Sequence, residues 1–192
     1  MIQEMSETFK LTSDEVARIV SLGERFPETA GKIMVHGPHI MDNYNPNDRK
    51  VTVNWIRRMP QSEWLFKRIA EEMNVDPERI GTLQYSRYAI GDHFVWHTDN
   101  KYPRVQWREI SISAQLSETT EYEGGDLEFA CSDGKAGDLI LRASRELGAV
   151  TAFPSWCGHR VTPVTHGLRK ALVVWIAKNG VKPGLPWEGQ DG

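Results

Sequence analysis

His97 and Asp99 lie two positions apart in the stretch Tyr85–Asn100, YSRYAIGDHFVWHTDN. In an extended strand, residues i and i+2 point to the same face. The pair therefore projects an imidazole and a carboxylate together, spaced to share one ion. A lone His-x-Asp is a weak signal. It gains meaning if the chain supplies a third donor and a reason to keep coordination positions open.

Both come sixty residues later, in residues 153–176, FPSWCGHRVTPVTHGLRKALVVWI. His159 opens one strand and Arg169 stands at the start of the next. Two imidazoles and a carboxylate on one side of a metal leave the other side free, which among metals points to non-haem Fe(II) oxygenases. Iron of this kind uses a reducing co-substrate, commonly a 2-oxo acid whose distal carboxylate is held by a basic residue. Arg169 suits that part, because guanidinium grips a carboxylate through two parallel charge-assisted hydrogen bonds. Zinc also accepts two histidines and a carboxylate, but a zinc site gives Arg169 nothing to do.

The elements that must position these side chains divide the chain in two. Thr12-Ser13-Asp14-Glu15 fits a capping box, and Val16, Ile19, Val20 and Gly23 form one stripe of an amphipathic helix running to about Phe26. Residues 36–49 are a loop, rich in Pro, Asn and Asp. Val51, Val53 and Trp55 alternate as in a short strand. Trp64, Leu65, Ile69 and Met73 outline a second helix that ends before Pro77. From Ile80 the texture changes to about eight short strands, at 82–90, 93–98, 109–116, 126–130, 138–142, 149–153, 159–165 and 170–177. That count is the one expected of a double-sheet jelly roll. The expected fold is mostly β, a double-stranded β-helix core with N-terminal helical support. We expect one domain over 1–192: support 1–80, core 81–178, and a tail 179–192.

Composition sets the outer limits. With 192 residues, 40% of them hydrophobic, the chain can bury one full core. A net charge of −3 gives no general attraction to nucleic acid. Cys131 and Cys157 allow one disulfide at most and no Cys-x-x-Cys zinc pattern. The opening MIQEMSETFK lacks signal-peptide regions, and no apolar run reaches spanning length. A cytoplasmic location without membrane contact is the expectation.

The motifs together resemble those of Fe(II)/2-oxoglutarate-dependent dioxygenases, closest to the prolyl 4-hydroxylase-like branch with its small bacterial and phage members. The resemblance rests on Tyr88-x-x-Gly91 with His97-x-Asp99-Asn100, on Gly124-Gly125-Asp126-Leu127-Glu128-Phe129, and on Phe153, His159-x-Val161-x-Pro163-Val164, Gly167-x-Arg169-x-Ala171 and Trp175. It covers roughly residues 82–177. It implies that His97, Asp99 and His159 are the catalytic iron ligands and that Arg169 binds 2-oxoglutarate. Tyr88 would line the co-substrate pocket, and Arg108 and Trp175 would lie near substrate. Gln115 falls where several relatives carry a co-substrate-contacting tyrosine, and an amide can donate to a carboxylate in its place.

The resemblance further implies hydroxylation of a substrate C–H bond using Fe(II), 2-oxoglutarate and dioxygen, with ascorbate as reductant and succinate and carbon dioxide released. A peptidyl proline in a peptide or protein is the expected substrate. Tyr44, Tyr102, Trp107 and Tyr122, in loops at 36–49, 100–107 and 118–124, would cradle it. Three readings compete. One is hydroxylation of a free amino acid or other small molecule. The others are a non-catalytic jelly-roll metal-binding module and a structural scaffold. A nucleic-acid demethylase of the same fold would carry a second arginine where this chain has Lys170-ALVVWIA-Lys178. Gly124-Gly125 reads as a tight turn. His93 and His166 read as strand or rim residues, and His36 and His39 as loop residues.

Overall fold

In the computed structural model of the chain, the described residues are 2–4, 7–26, 28–30, 45–130 and 140–184, with backbone alone for 2–4 and 28–30. The first part holds β1 (Ile2–Glu4), β2 (Phe9–Lys10), α1 (Ser13–Gly23), β3 (Glu28–Ala30), β4 (Arg49–Lys50), β5 (Thr52–Ile56) and α2 (Glu63–Met73). Then come β6 (Leu83–Tyr88), β7 (His93–His97), β8 (Arg108–Gln115), β9 (Tyr122–Gly124), β10 (Leu127–Ala130) and β11 (Ile140–Arg142). The chain continues through β12 (Ala149–Pro154), β13 (Gly158–Val161), β14 (Val164–Gly167) and β15 (Arg169–Ala177).

Both helices begin and end for identifiable reasons. Thr12 caps α1 through its hydroxyl, and Glu15 reaches back to the Thr12 N–H, completing the expected capping box. The helix stops at Gly23, a turn short of the expected Phe26. α2 ends at Asn74, which takes the left-handed conformation (φ 49°) that asparagine tolerates better than most residues.

A seven-stranded sheet in the order β2-β12-β8-β15-β6-β5-β3 faces a six-stranded sheet in the order β1-β11-β10-β13-β7-β4. This is the expected jelly roll. Two strands within the region expected to act only as support, β4 and β5, extend opposite sheets. The segment expected as one strand over 159–165 divides instead. Pro163 cannot donate to a ladder, so β13 stays in the six-stranded sheet while β14 pairs with β9.

The large sheet has two different faces, set by period-two alternation. Leu83 and Tyr85 of β6, Ile112 and Ala114 of β8, and Leu172, Val174 and Ile176 of β15 pack with Ile19 of α1 and Leu65, Phe66 and Ile69 of α2. Burying each such helix side chain is worth about 1.5–3 kcal/mol, so the helices are part of the core. The opposite face carries Gln84, Ser86, Tyr88, Ser111, Ser113 and Arg169, all buried. So many buried polar groups between two sheets mark the place where chemistry is housed. Among the described residues, no helix is long and apolar enough to cross a membrane. Cys131, His36, His39, Tyr44 and the tail beyond residue 184 lie outside them.

Candidate metal centre

Strand pairing brings the two histidines together. His97, the last residue of β7, lies directly opposite His159 of β13, with ring centroids 4.1 Å apart. Asp99 stands just beyond the end of β7, so the strand spacing alone does not hold it. Its N–H donates to the Ser155 carbonyl (2.8 Å), and its Oδ2 accepts from the Ser111 hydroxyl (2.7 Å). Ser155 Oγ lies 2.9 Å from Ser111 Oγ. Because Ser111 spends its one proton on Asp99, Ser155 is the donor in that contact. Asp99 Oδ1 lies 3.8 Å from His97 Nε2 and Oδ2 lies 3.6 Å from His159 Nε2. One donor atom from each residue falls within 4.8 Å of the others.

The hydrogen bonds select the imidazole tautomers. His97 Nδ1–H donates to the Val95 carbonyl (2.8 Å) and His159 Nδ1–H to the Cys157 carbonyl (3.0 Å). Each ring therefore turns an Nε2 lone pair toward Asp99, the form that binds a metal. Burial, reinforced by the neighbouring His159, holds the His97 pKa well below its usual value and keeps the ring neutral. Burial pushes the Asp99 carboxyl up, but His159 and His97 when protonated, the Arg108 cation and the Ser111 hydroxyl outweigh it and hold the group below the usual carboxylate range. Two imidazole nitrogens and one carboxylate form a donor set that fits Fe(II).

The triad opens on a cavity of about 640 Å³ between the sheets, a size suited to a small co-substrate with part of a larger ligand. Along β15 the inward residues Arg169, Ala171, Val173 and Trp175 all line it. Arg169 is 4% exposed and lies 5.4 Å over the Tyr88 ring, its cross-strand partner. No carboxylate pairs with it among the described residues. A buried cation without an anion is costly, and here the free side of the guanidinium faces the cavity. Burial raises the Tyr88 pKa, so this wall stays a neutral phenol. At the other end of the strand Arg108 stacks 3.7 Å over Trp175 and donates to the Asp99 carbonyl (3.2 Å).

Tyr88, Arg108, Arg169 and Trp175 thus share one cavity with the triad. Gln115 does not. It is buried, but its Nε2 donates to the Tyr122 hydroxyl (2.7 Å) and it is absent from the cavity wall. Of the described loop aromatics only Tyr102 lines the cavity. Tyr122 is buried beneath Arg145, 4.3 Å from its guanidinium, and Trp107 packs over Gly81 and Gly184 instead. Gly124 and Gly125 form the expected turn, with φ of +68° and +62°. A Cβ on Gly125 would sit 3.1 Å from Arg169 Cδ, so the turn also makes room for Arg169. His93 bridges the Gly91 and Asn47 carbonyls and His166 is exposed, as rim residues would be.

Sequence reasoning did not find Arg49, Phe94, Ser111 or Ser155. Phe94 stacks on His97, and Arg49 lies 4.8 Å over Phe94 with Nη2 bonded to Gln84. Period-two spacing could have placed Ser111 on the inward face. Nothing local marks Arg49, which enters through the pairing of β4 with β7.

A family model described as the 2OG-Fe(II) oxygenase superfamily matches residues 83–177. A PKHD-type hydroxylase of Rippkaea orientalis is 30% identical over 175 residues, covering 86% of this chain and 74% of its own length. Others from a Synechococcus strain (32% identical) and a Picosynechococcus strain (31%) match 51% and 63% of this chain. The matches span 42% and 51% of those two relatives' own lengths, about half. The chain belongs to the 2OG-Fe(II) oxygenase superfamily. Its fold is shared with a Pseudomonas putida prolyl-4-hydroxylase (TM-score 0.62, 17% identity, 90% of this chain and 91% of that one). It is also shared with a Trichoplax adhaerens prolyl hydroxylase solved with a hypoxia inducible factor peptide fragment (TM-score 0.66, 16% identity, 86% and 77%).

Proposed function

We propose that this protein hydroxylates a substrate C–H bond at the expense of 2-oxoglutarate and dioxygen, and that the substrate is a peptidyl proline. The observation that carries the reading is the buried Arg169, without a carboxylate partner among the described residues, in the same cavity as a His-Asp-His donor set. A structural metal clip would have no use for an uncompensated cation there, whereas a dicarboxylate co-substrate supplies the missing anion. The peptide part draws support from the Trichoplax relative, whose structure contains a peptide.

Fe(II) and 2-oxoglutarate, when bound, together supply the dioxygen-activating chemistry. His97 and His159 would hold the iron through Nε2, each ring fixed by its Nδ1–H bond, and Asp99 through a carboxylate fixed by Ser111. Arg169 would hold the distal carboxylate of the co-substrate, with Tyr88 as the adjoining wall. Arg108 and Trp175 orient the substrate at the far end. The two sheets exclude water, which strengthens each of these electrostatic contacts.

The test is aerobic turnover with Fe(II), ascorbate and 2-oxoglutarate. Succinate should form, and proline-containing peptides should gain the mass of one oxygen. His97→Ala should abolish both. Failure to bind 2-oxoglutarate in the presence of Mn(II) would overturn the oxygenase reading. Oxygen gained by a free amino acid in place of the peptides would transfer the activity to a small-molecule substrate.

A further inference from the structure

Two donors on the cavity wall lack acceptors. Arg108 Nε and Trp175 Nε1 are both buried, and neither has a hydrogen-bond partner among the described residues. Their side chains stack on one another at 3.7 Å and line the cavity beside Asp99. Leaving buried N–H groups unpaired is costly. Beside a cavity, a ligand can supply the missing acceptor.

The wall itself offers no anion to do so. Its two described carboxylates are Asp48 and Asp99. Asp48 Oδ2 accepts from Asn45 at 2.7 Å, and Asp99 is committed to Ser111 and the two imidazoles. Arg108 meets Asp99 only through the backbone carbonyl, at 3.2 Å. Burial disfavours the Arg108 cation and the nearby Asp99 carboxylate favours it, while a second guanidinium on the same wall, Arg49, opposes it. Arg169 and Trp175 stand six residues apart on β15, about 20 Å along a strand. A co-substrate held at Arg169 therefore leaves the Arg108–Trp175 end free.

We infer that the substrate carries a carboxylate, which Arg108 Nε and Trp175 Nε1 bind while the neighbouring carbon is presented to the metal. The inference rests on the oxygenase reading and adds the charge class of the substrate. The carboxylate has two possible sources: a free amino-acid-type molecule, or an acidic side chain beside the target residue of a peptide.

The experiment measures binding to the Mn(II)- and 2-oxoglutarate-loaded protein by its tryptophan fluorescence. One arm compares L-proline with L-prolinamide. The other compares acetyl-Pro-Glu-amide with acetyl-Pro-Gln-amide. In at least one arm the carboxylate member should bind about tenfold or more tighter than its neutral twin, as expected for hydrogen bonds to a charged acceptor. The arm that responds identifies the source. Arg108→Gln should erase the preference and Arg108→Lys should keep part of it, each variant being compared at Mn(II) and 2-oxoglutarate concentrations that saturate it. Equal binding of both twins in both arms, no binding by either carboxylate probe, or a preference that survives in Arg108→Gln overturns the inference. Failure to bind Mn(II) or 2-oxoglutarate in the unmutated protein strikes the oxygenase reading itself.

Discussion

Ser111 and Arg169 show how single side chains in this cavity trade stability against function. Ser111 holds one oxygen of Asp99 and is itself held by Ser155. Supporting bonds of this kind are worth about 10–100-fold in metal affinity. Ser111→Ala should therefore weaken Mn(II) binding by that order in a calorimetric titration. Arg169 is the opposite case, since its buried charge burdens the ligand-free protein. Replacing it with an apolar residue of similar length, Arg169→Met, should raise the ligand-free stability by on the order of 1 kcal/mol. The same change should remove the thermal stabilisation that 2-oxoglutarate gives, which for one site at a hundredfold excess over Kd is about 2.7 kcal/mol. Scanning calorimetry with and without co-substrate reads both effects. A variant that loses metal binding as well would assign Arg169 to the fold.

At the scale of elements, α1 is fastened at both ends. Its last residue, Gly23, lies against the fully buried ring of Tyr85 on β6, where an added Cβ would fall 2.4 Å from Cγ. Ala normally favours a helix over Gly by about 0.5–1 kcal/mol. Overpacking a rigid core costs about 1–3 kcal/mol, so the clash wins. Gly23→Ala should lower the melting temperature by about 2–4 °C. At the other end Glu15 accepts from the Thr12 N–H and from Arg68 of α2 (3.0 Å). Partial burial pushes its pKa up, but those bonds outweigh burial and the net shift is downward from 4.5. A lowered folded-state pKa means that the unfolded chain binds the proton more readily. The stabilisation is thus complete above pH 4.5 and is lost as the pH falls through the lower folded value. Glu15→Gln should flatten the melting-temperature profile between about pH 5 and pH 3, as followed by circular dichroism. An unchanged acid slope would show that Glu15 adds nothing to the attachment of α1.

At the scale of the molecule, the two sheets and both helices depend on one another. β5 pairs with β6 over five residues, and α1 and α2 cover the apolar face of the large sheet. We propose that 1–192 is one cooperative unit. Residues 81–178 expressed alone should then show no cooperative melt and no near-ultraviolet signal, whereas the full chain melts in one step. Much of this architecture was legible from local pattern. Period two marked the strands, Thr12 and Glu15 marked the start of a helix, and the types and order of His97, Asp99 and His159 marked a set able to hold a metal. Those features depend on residues a few positions apart or on intrinsic side-chain chemistry, and the sequence determines them by itself. Other features needed distant strands to meet. The register opposite His97 chose His159, and Ser155 and Ser111 set Asp99 past the end of its strand. The Tyr122 hydroxyl drew Gln115 away from the cavity, and the β4–β7 pairing brought Arg49 in. Only the tertiary structure decided these, because non-local hydrogen bonds and burial leave no periodic trace along the chain.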